Sequence, residues 1–573
     1  MTERRIGVYI CYCGGNISDY VNCERVREAV QNEEGVAVAR TAMFTCSDAT
    51  QQEIIDDIKE QKLDGLVVAS CSPTLHQMTF REVAKRAGLN PYQYTQVNLR
   101  EQCSWAHTDS KEEANDKAIR LVKAGISSTL YTKALNDIRI KTVPRVLVIG
   151  AGITGLKTAL ALSDLGLTVY VIEKTKSIGG WLATFKEIYA CAGNRKGDEL
   201  VSELVEEIEQ RENIIIHTHA ELTEKSGSVG NFDVKISVNK ESISLNVGSI
   251  IVCTGFESYQ PESGEFSYGV DGVLTLPDFM ELISKWEDKA EYKGKPVHTV
   301  AYIYCVGSRQ ESGDHAHSYC SRYCCNAAIH TSTLAQNIAS GLHQFHFFRD
   351  IRTFGKYELL YEEARHKGAV FIKFNEENPP QISRMNGKFQ IKATDILTQN
   401  EELELEVDLV ILVTGMEPRK NESLLDILKI PVGLDGFYKE IHPKLRPVET
   451  VIDGVFVAGS SQAPRSAIGS AASGMAAAAK SASQLLKGYV ELSPLIAEIN
   501  ADQCTWCGEC LDACPYSAIE KTTVDGKDIA TINEALCKGC GGCVPICSQN
   551  AIDVKGYTDQ QVMTMIESMG EAL

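Results

Sequence analysis

Two segments near the carboxyl end, QCTWCGECLDACPYSAIE and LCKGCGGCVPICSQNAID, are copies of one another offset by 33 residues. The first carries Cys504, Cys507, Cys510 and Cys514 in the pattern C-x2-C-x2-C-x3-C, followed by Pro515. The second repeats the spacing at Cys537, Cys540, Cys543 and Cys547, with serine in place of the proline. Gaps of two residues let three thiolates converge on one cubane from a tight loop, and a fourth, carried into a helical turn, reaches the opposite cluster. Cys514 is therefore expected to complete the Cys537 set, and Cys547 the Cys504 set. Zinc ribbons also use C-x2-C pairs, but eight cysteines in this repeat fit two 4Fe-4S clusters far better.

The chain has 573 residues, 20 of them cysteine, and a formal net charge of −19. That acidity argues against nucleic acid and anionic membrane surfaces as partners. No stretch approaches eighteen apolar residues, and the start MTERRIGVYI lacks the apolar core of a signal peptide. A cytoplasmic protein with no membrane span is expected, and its cysteines point to metal or redox chemistry rather than disulfides. From residue 1 to 135, short apolar runs (IGVYIC, AVARTAMFTC, GLVVASC, YTQVNL) alternate with polar helical segments, the rhythm of a small parallel α/β domain. A second, larger α/β unit is expected over 136–490. The two-cluster ferredoxin module, of α+β type, follows over 491–556, and 557–573 form a short helical tail.

The second unit opens with RVLVIGAGITGLKTALALSDLGLTVYVIE. A buried strand precedes Gly150, Gly152 and Gly155 in the spacing Gly-x-Gly-x-x-Gly; a helix holding Thr154 and a second strand ending at Glu173 and Lys174 follow. The first glycine permits a tight turn, the second lets backbone amides approach a pyrophosphate, and the third lets helix pack on strand, while Glu173 accepts from ribose hydroxyls. FAD rather than NAD is favoured by three features. Gly179 and Gly180, beside Trp181, follow the acidic residue; Thr254 and Gly255 close a later strand; and GVFVAGSSQAPRSAIGSAASG resembles the flavin-contacting segment of thioredoxin-reductase-like enzymes. Those enzymes carry aspartate after the glycine of this run, where Gly459 is followed here by Ser460.

Near residue 300, where a two-dinucleotide flavoenzyme repeats the glycine motif to hold a nicotinamide, the strand VAYIYCVG runs instead into Cys305, then Cys320, Cys324 and Cys325. The span 295–420 thus reads as a degenerate nicotinamide-type subdomain with thiols for a cluster beside the flavin. A redox pair at Cys324 and Cys325 is the alternative. In the first domain Cys11, Cys13, Cys46, Cys71 and Cys103 fall at or just past successive strand ends, the edge at which parallel sheets bind ligands. Five thiols exceed four ligands, so one of Cys11 and Cys13 is expected to be spare. Cys23, Cys191 and Cys253 read as structural. No acid-base catalytic set stands out, and His315 and His317 lack metal spacing.

The phrases CYCGGNI, CSD, VASCSPTLH, NLREQCSWAH and SYCSRYCC, with the flavin fingerprint and the cysteine-rich tail, resemble the A-type subunit of heterodisulfide reductase over nearly the whole chain. That resemblance implies FAD, about four 4Fe-4S clusters, and electron bifurcation or confurcation between a two-electron donor, ferredoxin and a high-potential acceptor such as a disulfide. It also implies partner subunits of the B and C types, an electron-input module such as a hydrogenase or formate dehydrogenase, and a dimer within a larger complex. The longer methanogen form carries a second ferredoxin insertion that residues 192–300 lack. A self-contained NAD(P)H-dependent flavoenzyme feeding its own ferredoxin module, and a non-catalytic electron wire and scaffold, remain the rival readings.

Overall fold

The computed structural model describes residues 4–190, 193–310 and 316–570. Cys191 and His315 lie outside the described residues. The chain divides into two compact units, one formed by residues 1–139 with 491–573, the other by 140–490. The tail and the cysteine-rich repeats thus share a unit with the amino-terminal residues.

In the first unit, β1 (Ile6–Cys11), β2 (Val36–Ala42), β3 (Gly65–Ser70) and β4 (Tyr94–Asn98) form a parallel sheet in the order β2-β1-β3-β4. The central strands β1 and β3 are buried along their whole length, as continuous apolar runs in a parallel sheet must be. Helices α1 (Cys23–Val30), α2 (Asp48–Glu60), α3 (Pro73–Ala87) and α4 (Lys111–Leu130) alternate with them. Local chemistry sets their ends: Asn22, Ser47 and Ser72 cap the first three by accepting from Arg25, Thr50 and Thr74 backbone N–H groups, and Gly88 closes α3 at φ +87°.

The second unit is built twice on one plan. In its first half, β5 (Arg145–Ile149), α5 (Ile153–Asp164), β6 (Thr168–Ile172), α6 (Gly197–Glu209) and β7 (Ile214–His217) lead into an antiparallel meander of β8 (Ala220–Ser228), β9 (Asn231–Val238) and β10 (Glu241–Val247), then β11 (Ser249–Val252). The second half begins with β12 (Val273–Thr275) and β13 (Thr299–Val306). It continues through α7 (Cys324–Ile338), β14 (His343–Phe348), α8 (Glu358–His366), β15 (Val370–Lys373), the meander β16 (Gln381–Met385), β17 (Lys388–Asp395), β18 (Glu401–Val407), and β19 (Leu409–Thr414). The chain then returns through β20 (Val455–Val457) to the edge of the first sheet and ends in α9 (Ala467–Leu485). Sheet orders are β7-β6-β5-β11-β20 and β15-β14-β13-β19-β12, so each strand of one half has a counterpart in the other.

The cysteine-rich repeats carry β21 (Ala497–Ile499) paired antiparallel with β24 (Ile552–Val554), and the hairpin β22 (Ile519–Val524)–β23 (Lys527–Ile532). The tail is a helix, α10 (Asp559–Gly570), packed against α4; Gln561 is buried and donates to the Ser128 carbonyl at 3.4 Å. Among the described residues no helix is long and apolar enough to cross a membrane.

Candidate functional site

The turn after β5 is shaped by its glycines in three different ways. Gly150 has φ +104°, and a Cβ there would lie 2.5 Å from the Cys253 carbonyl oxygen. A Cβ on Gly155 would lie 1.9 Å from the Gly150 carbonyl oxygen, so this glycine seats α5 on β5 and does not line the cavity. Gly152 has extended backbone (φ −77°, ψ −177°), and its absent Cβ would meet nothing within 4 Å. That open space is a cavity of about 920 Å³ lined by Gly150, Gly152, Thr154, Glu173, Gly180, Trp181, Thr254, Gly255 and Ser460. Gly459 (φ +75°) stands behind it against Thr154, whose Oγ1 a Cβ would approach to 2.3 Å. Lys174 lines a neighbouring cavity of about 610 Å³, together with Glu173. Glu173 accepts from the Ala151 N–H at 2.9 Å and from Thr175, which fixes the carboxylate at the mouth of the turn.

Two groups in the 920 Å³ cavity await an acceptor or donor. Among the described residues, Thr254 Oγ1 and Arg465 Nε are buried without hydrogen-bond partners. The Arg465 guanidinium is pulled below its ordinary pKa range by burial and by the nearby Arg322, an environment an anion would relieve. An aromatic wall closes the far end. Trp181 stacks on Phe256 with centroids 5.5 Å apart and donates from Nε1 to the Phe256 carbonyl, and Tyr323 leans on Phe256 at 5.9 Å. Beyond this wall lies an apolar cavity of about 820 Å³ that shares Trp181, Phe256 and Tyr323. A glycine cradle open to phosphate, a buried cation and an aromatic end fit a flavin dinucleotide. Arg465 and Tyr323 went unmarked in the sequence. The arginine lies inside GSSQAPRSAIG, within the segment that resembles a flavin-contacting one, and the tyrosine inside SYCSRYCC, among the thiols.

Tyr323 is followed by Cys324 and Cys325 at the start of α7, and these meet Cys305 and Cys320 electrostatically. Cys305 sits in a β-bulge at the end of β13 with φ +64°, a conformation rare outside glycine that turns its thiol into the group. Close approach of the two thiols, with burial, pushes Cys324 well up, while the same approach and the Arg352 N–H pull Cys325 down. Burial pushes the Cys305 thiol up against the opposing pull of Arg349 and Arg309. Cys320 Sγ accepts from the Arg322 N–H at 3.3 Å.

At the carboxyl edge of the first sheet, Cys11 Sγ accepts from the Cys13 N–H at 3.3 Å and the Thr45 N–H at 3.4 Å. Cys46 and Cys71 each feel both Cys11 and Cys13, and Arg100 reaches Cys13 Sγ at 3.7 Å. Cys103 does not join them. Its thiol is buried and donates to the Ala114 carbonyl at 2.9 Å, because the π-turn Arg100–Ser104 rotates it toward α4. Cys103 thus stands apart from Cys46 and Cys71, whereas both Cys11 and Cys13 lie close to them. Cys23 is buried and donates to the Cys11 carbonyl; Cys253 lies just past β11 and lines the large cavity.

In the repeats, Cys510 groups with Cys504, Cys507 and Cys547, and Cys543 with Cys537, Cys540 and Cys514. Four of these sulfurs, on Cys504, Cys514, Cys537 and Cys547, accept backbone N–H groups at 3.3–3.5 Å. Among the described residues no three His, Cys, Asp or Glu side chains close around a single ion. A cubane places each thiolate on its own iron and needs a wider set, so soft thiolates grouped in fours suit 4Fe-4S clusters rather than zinc.

Comparison with known proteins agrees with these features. Residues 503–551 match the family profile described as 4Fe-4S dicluster domain, and 117–270 that of the pyridine nucleotide-disulphide oxidoreductases. Among solved structures, the thioredoxin reductase of T. acidophilum aligns over 60% of this chain and 100% of its own at 16% identity, with a TM-score of 0.41. A CoB–CoM heterodisulfide reductase iron-sulfur subunit of the A type, from Methanopyrus kandleri, is 33% identical over 92% of both chains. The corresponding A-type iron-sulfur subunit from Methanocaldococcus jannaschii is 33% identical over 99% of both. Identity of this order, sustained from end to end, is decisive: the chain belongs to the family of heterodisulfide reductase A-type subunits and is an oxidoreductase component that binds FAD and 4Fe-4S clusters.

Proposed function

We propose that this chain is the electron-distributing component of a heterodisulfide-reductase-like complex. It connects a two-electron donor with ferredoxin and with a high-potential acceptor such as a disulfide, by flavin-based bifurcation or its reverse. The observation that carries this is the adjacency of Tyr323, which lines the dinucleotide cavity, to Cys324, which belongs to a set of four grouped thiols. Bound FAD exchanges electrons in pairs or singly, whereas a 4Fe-4S cluster takes them one at a time.

The residues divide the work. Gly152 and the amide-lined turn beside it hold the pyrophosphate, Glu173 and Lys174 the adenosine end, and Arg465 with Ser460 the ribityl end. Trp181, Phe256 and Tyr323 shield the redox-active end from water. Four thiol sets hold clusters: Cys11, Cys13, Cys46 and Cys71; Cys305, Cys320, Cys324 and Cys325; and the two crossed sets of the repeats. Subunits of the B and C types and a hydrogenase or formate dehydrogenase module are the partners this reading implies. Ferredoxin is a further one; the Methanothermobacter thermautotrophicus relative is named as the A-type subunit of an H(2):CoB-CoM heterodisulfide,ferredoxin reductase, which supports it.

The test is anaerobic purification with FAD, iron and sulfide determined per chain, followed by absorbance on adding NADH and then dithionite. About one FAD and roughly sixteen irons, with bleaching by dithionite only, is the expected result. About eight irons with rapid bleaching by NADH would overturn it in favour of a nicotinamide-dependent flavoenzyme.

A further inference from the structure

We propose that three arginines, Arg309, Arg349 and Arg352, make the Cys305 site the most electron-attracting of the chain's cluster sites and so the entry to the high-potential branch. This rests on the reading that the Cys305 set holds a cluster.

The loop after β14, the strand beside β13, delivers the charge. Arg349 donates to the Ser308 and Arg309 carbonyls at 3.0 and 2.8 Å, which pins the loop across the bulge that carries Cys305. Arg309 is anchored to Asp350 at 2.8 Å, and the guanidinium groups of Arg309 and Arg349 both face the Cys305 thiol. Among the described residues the buried Arg309 Nη1 has no hydrogen-bond partner, and the guanidinium lies beside Cys305. At the other side of the set, the Asp350 carbonyl accepts from Cys325 at 3.8 Å, and Arg352 presents both its backbone N–H and its charge to the same thiol. Lys373 adds a fourth cation through Asp350, and Asp350 and Glu376 offset part of the total.

The other sites are built differently. The charged groups felt most by Cys510 and Cys543 are their companion thiols, and the amino-terminal set faces one arginine, Arg100, that is itself paired with Glu101. Each reduction adds a negative charge to a cluster. Partly buried cations and N–H donors to sulfur stabilise that charge and raise the potential.

The test is a redox titration of the anaerobic holoprotein followed by electron paramagnetic resonance. Cys305→Ala identifies the signal of this site by its loss, with iron falling by about four atoms per chain. In Arg309→Gln and Arg352→Gln that signal is expected to remain but to hold its electron at least tenfold less tightly, a fall of about 59 mV for one electron. The signals of the repeats and the FAD content stay as in the wild type, and Arg309→Lys recovers most of the shift. Arg352→Gln keeps the backbone bond to Cys325, so it isolates charge from structure. Unchanged midpoints in both glutamine variants, with the signal present, would overturn the tuning role. Full iron and an intact set of signals in Cys305→Ala would instead overturn the cluster reading beneath it.

Discussion

Gly152 and Gly155 lie on the same turn and do opposite things, which lets substitution separate fold from ligand. At Gly152 the backbone is ordinary for any residue, and an added methyl would meet no protein atom within 4 Å. Gly152→Ala should therefore fold as the wild type does. The methyl instead fills the space through which the cavity reaches the amides of the turn, and a pyrophosphate would lose about one charge-assisted hydrogen bond, about 1.5–3 kcal/mol. At about 1.4 kcal/mol per decade this weakens FAD roughly tenfold to a hundredfold. Gly155→Ala reverses the pattern. Its methyl would stand 1.9 Å from the Gly150 carbonyl oxygen, a backbone atom that cannot rotate away. Overpacking costs about 1–3 kcal/mol, and alanine's better helix propensity returns roughly 1 kcal/mol, leaving a net loss of up to about 2 kcal/mol. FAD affinity should fall only as far as the turn is dragged. The assay is fluorescence titration of deflavinated protein with FAD beside thermal melts of the same samples. Wild-type FAD affinity in Gly152→Ala would refute the reading of the turn as a phosphate cradle.

Other outcomes follow from the same geometry. Cys103→Ala should keep its full iron content and lose about 1 kcal/mol with the bond to Ala114, whereas alanine at Cys11, Cys13, Cys46 or Cys71 should cost about four irons per chain by colorimetric assay. Burial holds His346 neutral with a pKa lowered to about 3, and His330 likewise to about 4, against 6.5 unfolded. The unfolded chain thus binds protons that the folded one does not. Stability is complete above pH 6.5 and falls below it by about 1.4 kcal/mol per pH unit for each histidine; His346→Phe should roughly halve the slope of Tm between about pH 6 and 4.5. Cys305→Gly should relieve a left-handed conformation worth about 1–2 kcal/mol, so the apo form melts higher than the wild-type apo form even as the holoprotein loses iron.

What could be read from the chain before its fold was known depended on how far apart the cooperating residues lie. The crossed repeats and the Gly-x-Gly-x-x-Gly turn carry their chemistry within a few residues, so spacing alone revealed them. The amino-terminal thiols were legible as a group, because strand ends of a parallel sheet share one edge, but membership was not. A strand-end rule gives a thiol's height on the sheet and says nothing of its azimuth once a π-turn intervenes, which is how Cys103 came to face Ala114. Cys13, likewise, lies beyond the strand in a turn at φ +54°, where the alternation of a strand no longer applies. The arginines around Cys305 were invisible for a stronger reason. Arg349 and Arg352 arrive from the loop after β14, far along the chain from Cys305, and meet the bulge only because β14 lies beside β13. The duplicated plan gives that meeting its sense. At comparable strand ends, the first half has a left-handed Gly150, whose missing side chain leaves the turn's backbone open to the cavity, and the second has a left-handed Cys305, whose thiol lies close to Cys324. One scaffold thus presents an open glycine turn at one strand end and a group of thiols at the other.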